Sequence, residues 1–134
     1  MNAQEKTARI EALRAEIEGK PASFTGSSAR ERLALLFDEG TFGEGGAFVR
    51  QRPTEYGCAE SPEGVVTGYG AVDGVLVFAF AQDPVVSKGA ISEMHAQKIK
   101  NIITMAMKAD APLVSMLDSC GMKVGEGIDA LAGY

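Results

Sequence analysis

Apolar residues recur three and four apart between about Gln4 and Glu18, where Ile10, Leu13 and Ile17 share one face and charges fill the rest. That spacing predicts a first helix, which Gly19 and Pro21 end. After the loop PASFTGSS, Ser28 stands three residues before Glu31, ahead of the apolar run Leu33, Leu35, Leu36 and Phe37. This is the spacing of a capping box, and a second helix is expected over about 29–38.

Beyond Gly40 the chain turns glycine-rich, and AFVRQ, residues 47–51, has the residues of a short strand. The stretch 52–64, RPTEYGCAESPEG, reads as a loop by its proline, glycine and acidic content. Two β-rich runs follow, joined by Asp73-Gly74. That dipeptide signals a hairpin because both turn positions must accept a positive φ. The second run, Val75 to Ala81, is almost continuously apolar, which predicts a central strand covered on both faces. Ser92 is a plausible N-cap, with Glu93 in the first turn, for a third helix reaching about Lys108. Its expected buried stripe is Ile99, Ile102, Ile103 and Ala106. Ala111-Pro112 ends it, LVSML at 113–117 is expected as a second buried strand, and another helix is expected to begin near Ile128. Strand, helix, strand in that order is a βαβ crossover with parallel strands.

Composition narrows the class. With 134 residues, 46% of them hydrophobic, the chain can bury a core as one domain without disulfides or metal. No apolar run approaches the roughly 18–20 residues that span a bilayer. The N-terminus MNAQEKTARIEALRAEIEGK lacks the apolar centre of a signal peptide, so a cytoplasmic location and reduced thiols are expected. Cys58 and Cys120 have no CxxC spacing and, with the single His95, make no credible zinc set; no metal is expected. A net charge of −5 argues against nucleic acid, and Lys98, Lys100 and Lys108 are expected on a solvated helix face.

Candidate chemistry lies where strands run into helices, since α/β ligands sit at the carboxyl ends of strands. Two loops qualify, DPVVSKGAIS after a strand ending near Asp83 and DSCGMKVGEG after a strand ending near Leu117, each with glycine just before a helix. Their backbone N–H groups could converge as an oxyanion hole, or the glycines could be plain turn residues. His95 could be structural or an acid–base group, with no catalytic partner visible in the sequence. There is no GxSxG, P-loop or Ser-His-Asp order.

A resemblance changes these weights. KGAISEMHAQKI at 88–99 resembles the GGSxGEMHAxKI segment of biotin-dependent acyl-CoA carboxyltransferases, and DSCGMKVGEGIDALAGY at 118–134 resembles their DSGGARIQEGVDALAGYG. SARERLALLFDEGTFGE at 28–44 and PEGVVTGYGAVDGVLVFAFAQD at 62–83 are similar to the family's entry helix and hairpin. The family includes the carboxyltransferase subunits of propionyl-CoA and acetyl-CoA carboxylases, transcarboxylase, and sodium-pumping decarboxylases for methylmalonyl-CoA and glutaconyl-CoA.

The resemblance implies an α/β, crotonase-like (ClpP/crotonase) fold, a spiral of ββα units that is partial in this chain and preceded by N-terminal helices. On this reading 1–134 is one partial carboxyltransferase N-terminal domain, with a helical entry segment at 1–40 and the start of the crotonase-like core at 41–134. The implied reaction moves a carboxylate between biotin and the α-carbon of an acyl-CoA through an enolate whose oxygen needs fixed donors. By position the donors are the backbone amides of Gly89, Ala90, Cys120 and Gly121, with Lys88, Gly89, Ala90, Gly121 and Met122 at the coenzyme A thioester.

The implied partners are the remainder of the carboxyltransferase, a biotin carrier protein and acyl-CoA, with a homo-oligomer expected and a membrane involved only indirectly, as part of a sodium pump. Family members are several times longer, so the remainder is expected on another polypeptide or segment, or replaced by self-association, and the isolated chain is expected to be inactive. The sequence departs from the family pattern at Lys88, at Ala90 and over CGMK at 120–123, and Cys120 in a glycine-only conformation would be strained. Two alternatives stand beside this reading: a non-catalytic assembly or interaction module with the same fold, and a crotonase-type hydratase or isomerase, for which Glu126 is the nearby carboxylate.

Overall fold

The computed structural model describes residues 3–18, 28–53 and 62–132. The expected Cys58 thiol and most of the 52–64 loop lie outside these residues. Helix α1, Ala3–Glu18, forms where predicted, but Ile10 is exposed and Leu13 only half-buried. Helix α2, Ala29–Leu36, begins at the predicted capping box: the Ser28 hydroxyl accepts from the Glu31 amide, and the Glu31 carboxylate accepts from the Ser28 amide. Ser28→Ala removes one side of this exchange and is expected to cost about 1 kcal/mol, read as a lower urea midpoint with an unchanged slope.

Four strands form one sheet in the order β1-β2-β3-β4: β1 Gly43–Gly45, β2 Val65–Val72, β3 Val75–Gln82 and β4 Leu113–Met116. The β2–β3 hairpin turns on Asp73 and Gly74 at φ 51° and 77°, as the dipeptide predicts, and the Asp38 carboxylate accepts from both turn amides. Helix α3, Glu93–Ala109, makes the crossover that sets β4 parallel to β3. Its N-cap is Ser92, whose hydroxyl accepts the His95 amide at 3.0 Å.

Alternation along β3 divides the core between two layers, so that the sheet lies between helices. Val77, Ala79 and Ala81 pack with Ala29, Leu33 and Phe37 of the α2 side. Phe78 and Phe80 face the other way, against Ile99, Ile102 and Ala106 of α3. Among the described residues no helix is long and apolar enough to cross a membrane.

Four expectations are corrected. Residues 47–51 make no strand: Arg50 forms an isolated bridge with Pro62, and the strand beside β2 is Gly43–Gly45, a glycine-rich segment with no hydrophobic pattern. Ile103 points outward at 37% exposure, since the sheet contacts only the narrower stripe of Ile99, Ile102 and Ala106. β4 is half-buried at the sheet edge, and Leu117 beyond it is exposed. The chain from Val124 to Leu131 is a 3-10 segment broken by Gly127, so the helix expected near Ile128 does not start cleanly.

Candidate functional site

The two loops singled out by their strand-end position meet in the structure. The first leaves β3 at Asp83 and makes a 3-10 turn at Ser87–Gly89, with Ser87, Lys88 and Gly89 at φ 49°, 55° and 67°. Two of these are non-glycine residues in the left-handed region, a strain of about 1–2 kcal/mol each that the surrounding contacts must hold. The second loop runs from Leu117 to Lys123. Backbone hydrogen bonds join the two: Cys120 N–H to Lys88 O at 3.1 Å, Ile91 N–H to Gly121 O at 2.8 Å, and Lys123 N–H to Ile91 O at 2.9 Å.

Gly89 and Asp118 set how closely the loops approach. Gly89 is buried with its Cα against the Asp118 carbonyl, where any Cβ would overlap that oxygen. Gly121 has φ 107° and open space around it, so it needs glycine for its backbone and not for packing. Cys120 is absent from the residues with positive φ, so the strain expected of a side chain there does not arise.

The predicted amides are differently engaged. Gly89 N–H donates to Val86 O at 2.9 Å and Ala90 N–H to Ser87 O at 3.0 Å, within the 3-10 turn. Cys120 N–H holds the inter-loop bond. Gly121 N–H donates to the Ser119 hydroxyl at 3.1 Å, and Ser119 is exposed. Lys88, Cys120 and Met122 are exposed, while Ala90 is buried.

Beneath the loops lies a buried polar layer that hydrophobic patterning does not reveal. Gln82, at the end of β3, is 3% exposed. Its carbonyl oxygen accepts the Asp118 amide at 2.9 Å, its amide nitrogen lies 3.1 Å from His95 Nε2, and its backbone oxygen accepts from Arg32 at 2.6 Å. His95 is fully buried, and burial, with the Lys98 charge adding, lowers its pKa from 6.5 to about 4.

Lys98 corrects a further expectation: it does not face solvent. Its ammonium donates to Val65 O at 2.7 Å, and burial lowers its pKa from 10.5 to about 8, against the pull of Glu44. Glu63 is buried and held above the usual carboxylate range by burial, against a hydrogen bond from Ser92 and the charge of Lys123. Glu126 accepts the Glu93 amide at 3.0 Å and pairs with Lys123 at 3.5 Å, and its side chain is 2% exposed. Its carboxylate caps α3 and is closed to solvent. Gln82, Glu63 and Lys123 carry no local sequence signal; only their positions beside the strand ends could have drawn attention to them.

Comparison with known proteins gives the family and the fold. The carboxyl transferase domain model matches residues 26–134. The chain is 54% identical over 110 residues to methylmalonyl-CoA decarboxylase subunit alpha of Propionigenium modestum, covering 80% of this chain and 21% of that protein. It is 45% identical over 124 residues to the propionyl-CoA carboxylase beta chain of Cereibacter sphaeroides, covering 90% and 24%. Among solved structures, transcarboxylase 12S with methylmalonyl-coenzyme A and methylmalonic acid bound superposes with a TM-score of 0.81 at 31% identity, over 100% of this chain and 28% of that one. The chain thus spans about a fifth to a quarter of the relatives it matches. The fold is crotonase-like, as those neighbours are. With the family model matching residues 26–134, the chain belongs to the carboxyl transferase domain family.

Proposed function

We infer that this chain supplies the acyl-CoA side of a biotin-dependent carboxyltransferase or decarboxylase acting on a short acyl-CoA such as propionyl- or methylmalonyl-CoA. The observation that supports the reading is the contact between the two strand-end loops, one carrying Gly89 and Ala90 and the other Cys120 and Gly121. An enolate forms on the thioester when the α-carboxylate departs, and its oxygen is stabilised by donors already in place. Gly121 N–H suits that role best. Its present acceptor is an exposed hydroxyl two residues away, which can rotate aside, whereas the other three amides hold backbone carbonyls. The lack of a side chain on Gly121 leaves room for a thioester against the backbone. Lys88 and Met122, exposed on the two loops, would contact the coenzyme A portion.

Biotin, when present, carries the carboxylate to or from the acyl-CoA. On this reading it arrives on a separate carrier, and none of the described residues is assigned to hold it. The remainder of the carboxyltransferase, in the same or another polypeptide, would cover Leu117, Val124 and Ile128, which are 74%, 80% and 84% exposed beside the second loop. We place the assembly in the cytoplasm, as a homo-oligomer. For a hydratase or isomerase the sequence offers Glu126 as the carboxylate, and its burial on Glu93 and Lys123 speaks against that role.

The test is affinity purification through this chain from its source, followed by transfer of labelled carboxylate from methylmalonyl-CoA. Co-purification of a biotinylated carrier with transfer that avidin blocks is the expected result. An assembly that binds its partners yet shows no affinity for acyl-CoA would replace this reading with the assembly module.

A further inference from the structure

We propose that Gln82, clamped by His95, is the positioning residue that sets the second donor loop against the first. The inference rests on the functional reading above for its catalytic consequence, but the clamp itself can be read in the chain alone.

The β3–β4 backbone ladder ends at the Ala81–Met116 pair. One step further, the Gln82 side chain takes over: its carbonyl oxygen accepts the Asp118 amide at 2.9 Å, in place of a backbone partner. Asp118 is the residue whose carbonyl lies against the Gly89 Cα, and two residues later Cys120 donates to Lys88. The carboxamide of Gln82 therefore fixes the height at which the second loop meets the first.

Its orientation has one solution. Turning the carboxamide over would aim its NH2 at the Asp118 N–H, donor against donor, so the oxygen faces Asp118 and the NH2 faces His95. With the carboxamide so placed His95 Nε2 accepts, which puts the ring proton on Nδ1, a buried atom with no hydrogen-bond partner among the described residues. His95 sits in the first turn of α3, its own amide on the Ser92 hydroxyl, and Ser92 follows directly on the first donor loop. The order His95, Gln82, Asp118 thus ties the base of one loop to the base of the other through buried side chains. From the α2 side, Arg32 donates to the Gln82 backbone oxygen at 2.6 Å and forms an ion pair with Asp118 at 3.7 Å. A buried carboxamide is suited to this place because it offers one acceptor and one donor from a neutral group.

The test uses the full chain labelled with 15N. The His95 ring is expected to show the Nδ1–H tautomer, and Gln82→Glu, which keeps an acceptor for Asp118 but replaces the donor toward His95 with an oxygen, is expected to convert it to Nε2–H. Gln82→Met removes both bonds at similar volume and is expected to speed amide exchange at Asp118 and Cys120 about tenfold, the equivalent of one lost hydrogen bond. In the purified assembly the same substitution is expected to lower kcat about tenfold or more with little change in KM for acyl-CoA, with Gln82→Glu restoring part of it. An Nε2–H ring in the unsubstituted chain, or unchanged exchange at Asp118 in Gln82→Met, overturns the clamp. Faster exchange at Asp118 in Gln82→Met with unchanged kcat overturns its catalytic consequence. Absence of any carboxyl transfer by the unsubstituted assembly would count against the functional reading, while the ring and exchange measurements still decide the clamp.

Discussion

Gly89→Ala is expected to be the most damaging single-methyl change in the described structure, lowering stability by roughly 3 kcal/mol or more. Two independent costs meet at this residue. At φ 67° an alanine pays the left-handed penalty, about 1–2 kcal/mol. Its methyl group would also overlap the Asp118 carbonyl oxygen and crowd the Asp118 carbonyl carbon and Ser119 Cα, each 3.2 Å away. All three are backbone atoms, so no side chain can rotate to make room. The loops must part, and the bonds from Cys120, Ile91 and Lys123 that join them lengthen together. Gly74→Ala provides the control: it has φ 77° and no atom within 4 Å of the new methyl, so only the backbone penalty applies. Urea denaturation of the two variants should separate them by about 2 kcal/mol, and amide exchange in Gly89→Ala should rise across 118–123. Equal losses in the two would mean that the loops are not in contact as described.

The residues that make this contact show what a sequence discloses and what it does not. Short-range chemistry was readable: Ser28 with Glu31 and Ser92 with His95 bond within three residues, Asp73-Gly74 turns the hairpin by its own positive φ, and each forms as expected. The two donor loops could also be found, because a strand followed by glycine and an N-cap is itself local. What escaped is decided by partners far along the chain. β1 exists because the Thr67 hydroxyl and backbone of β2 take up Gly45, some twenty residues distant, and no periodicity of Gly-Glu-Gly announces it. Lys98 reads as a solvated helical lysine until Val65, 33 residues away, offers its carbonyl. Gln82 ends an apolar strand and looks like a boundary residue, yet its side chain bonds Asp118 across 36 residues. Leu113 to Leu117 has the composition of a buried strand, but composition does not say which flank is covered, and Leu117 is exposed.

Acidification should destabilise the chain through His95, by on the order of 3 kcal/mol between pH 7 and pH 4. The ring is fully buried, and burial, with Lys98 adding, brings its pKa from 6.5 to about 4. Below 6.5 the unfolded chain takes up a proton that the folded chain refuses until about pH 4, so the unfolded state holds more protons across this window and stability falls as pH falls. Protonation would also place a donor on Nε2 opposite the Gln82 NH2, opening the bond that holds the clamp. Glu63 works in the opposite direction. Burial raises its pKa, so the folded chain takes up this proton before the unfolded chain does, and acidification through that range stabilises. Lys98 titrates near 8 and stays charged throughout the window. Because these contributions share the same pH range, the measurement is a difference. His95→Gln keeps an acceptor toward Gln82 and does not titrate, so urea midpoints of both proteins from pH 7 to pH 4 isolate the histidine. The variant is expected to gain on the unsubstituted protein by about 2–3 kcal/mol over that range, whereas parallel profiles would show that His95 accepts its proton as readily in the folded chain as in the unfolded one.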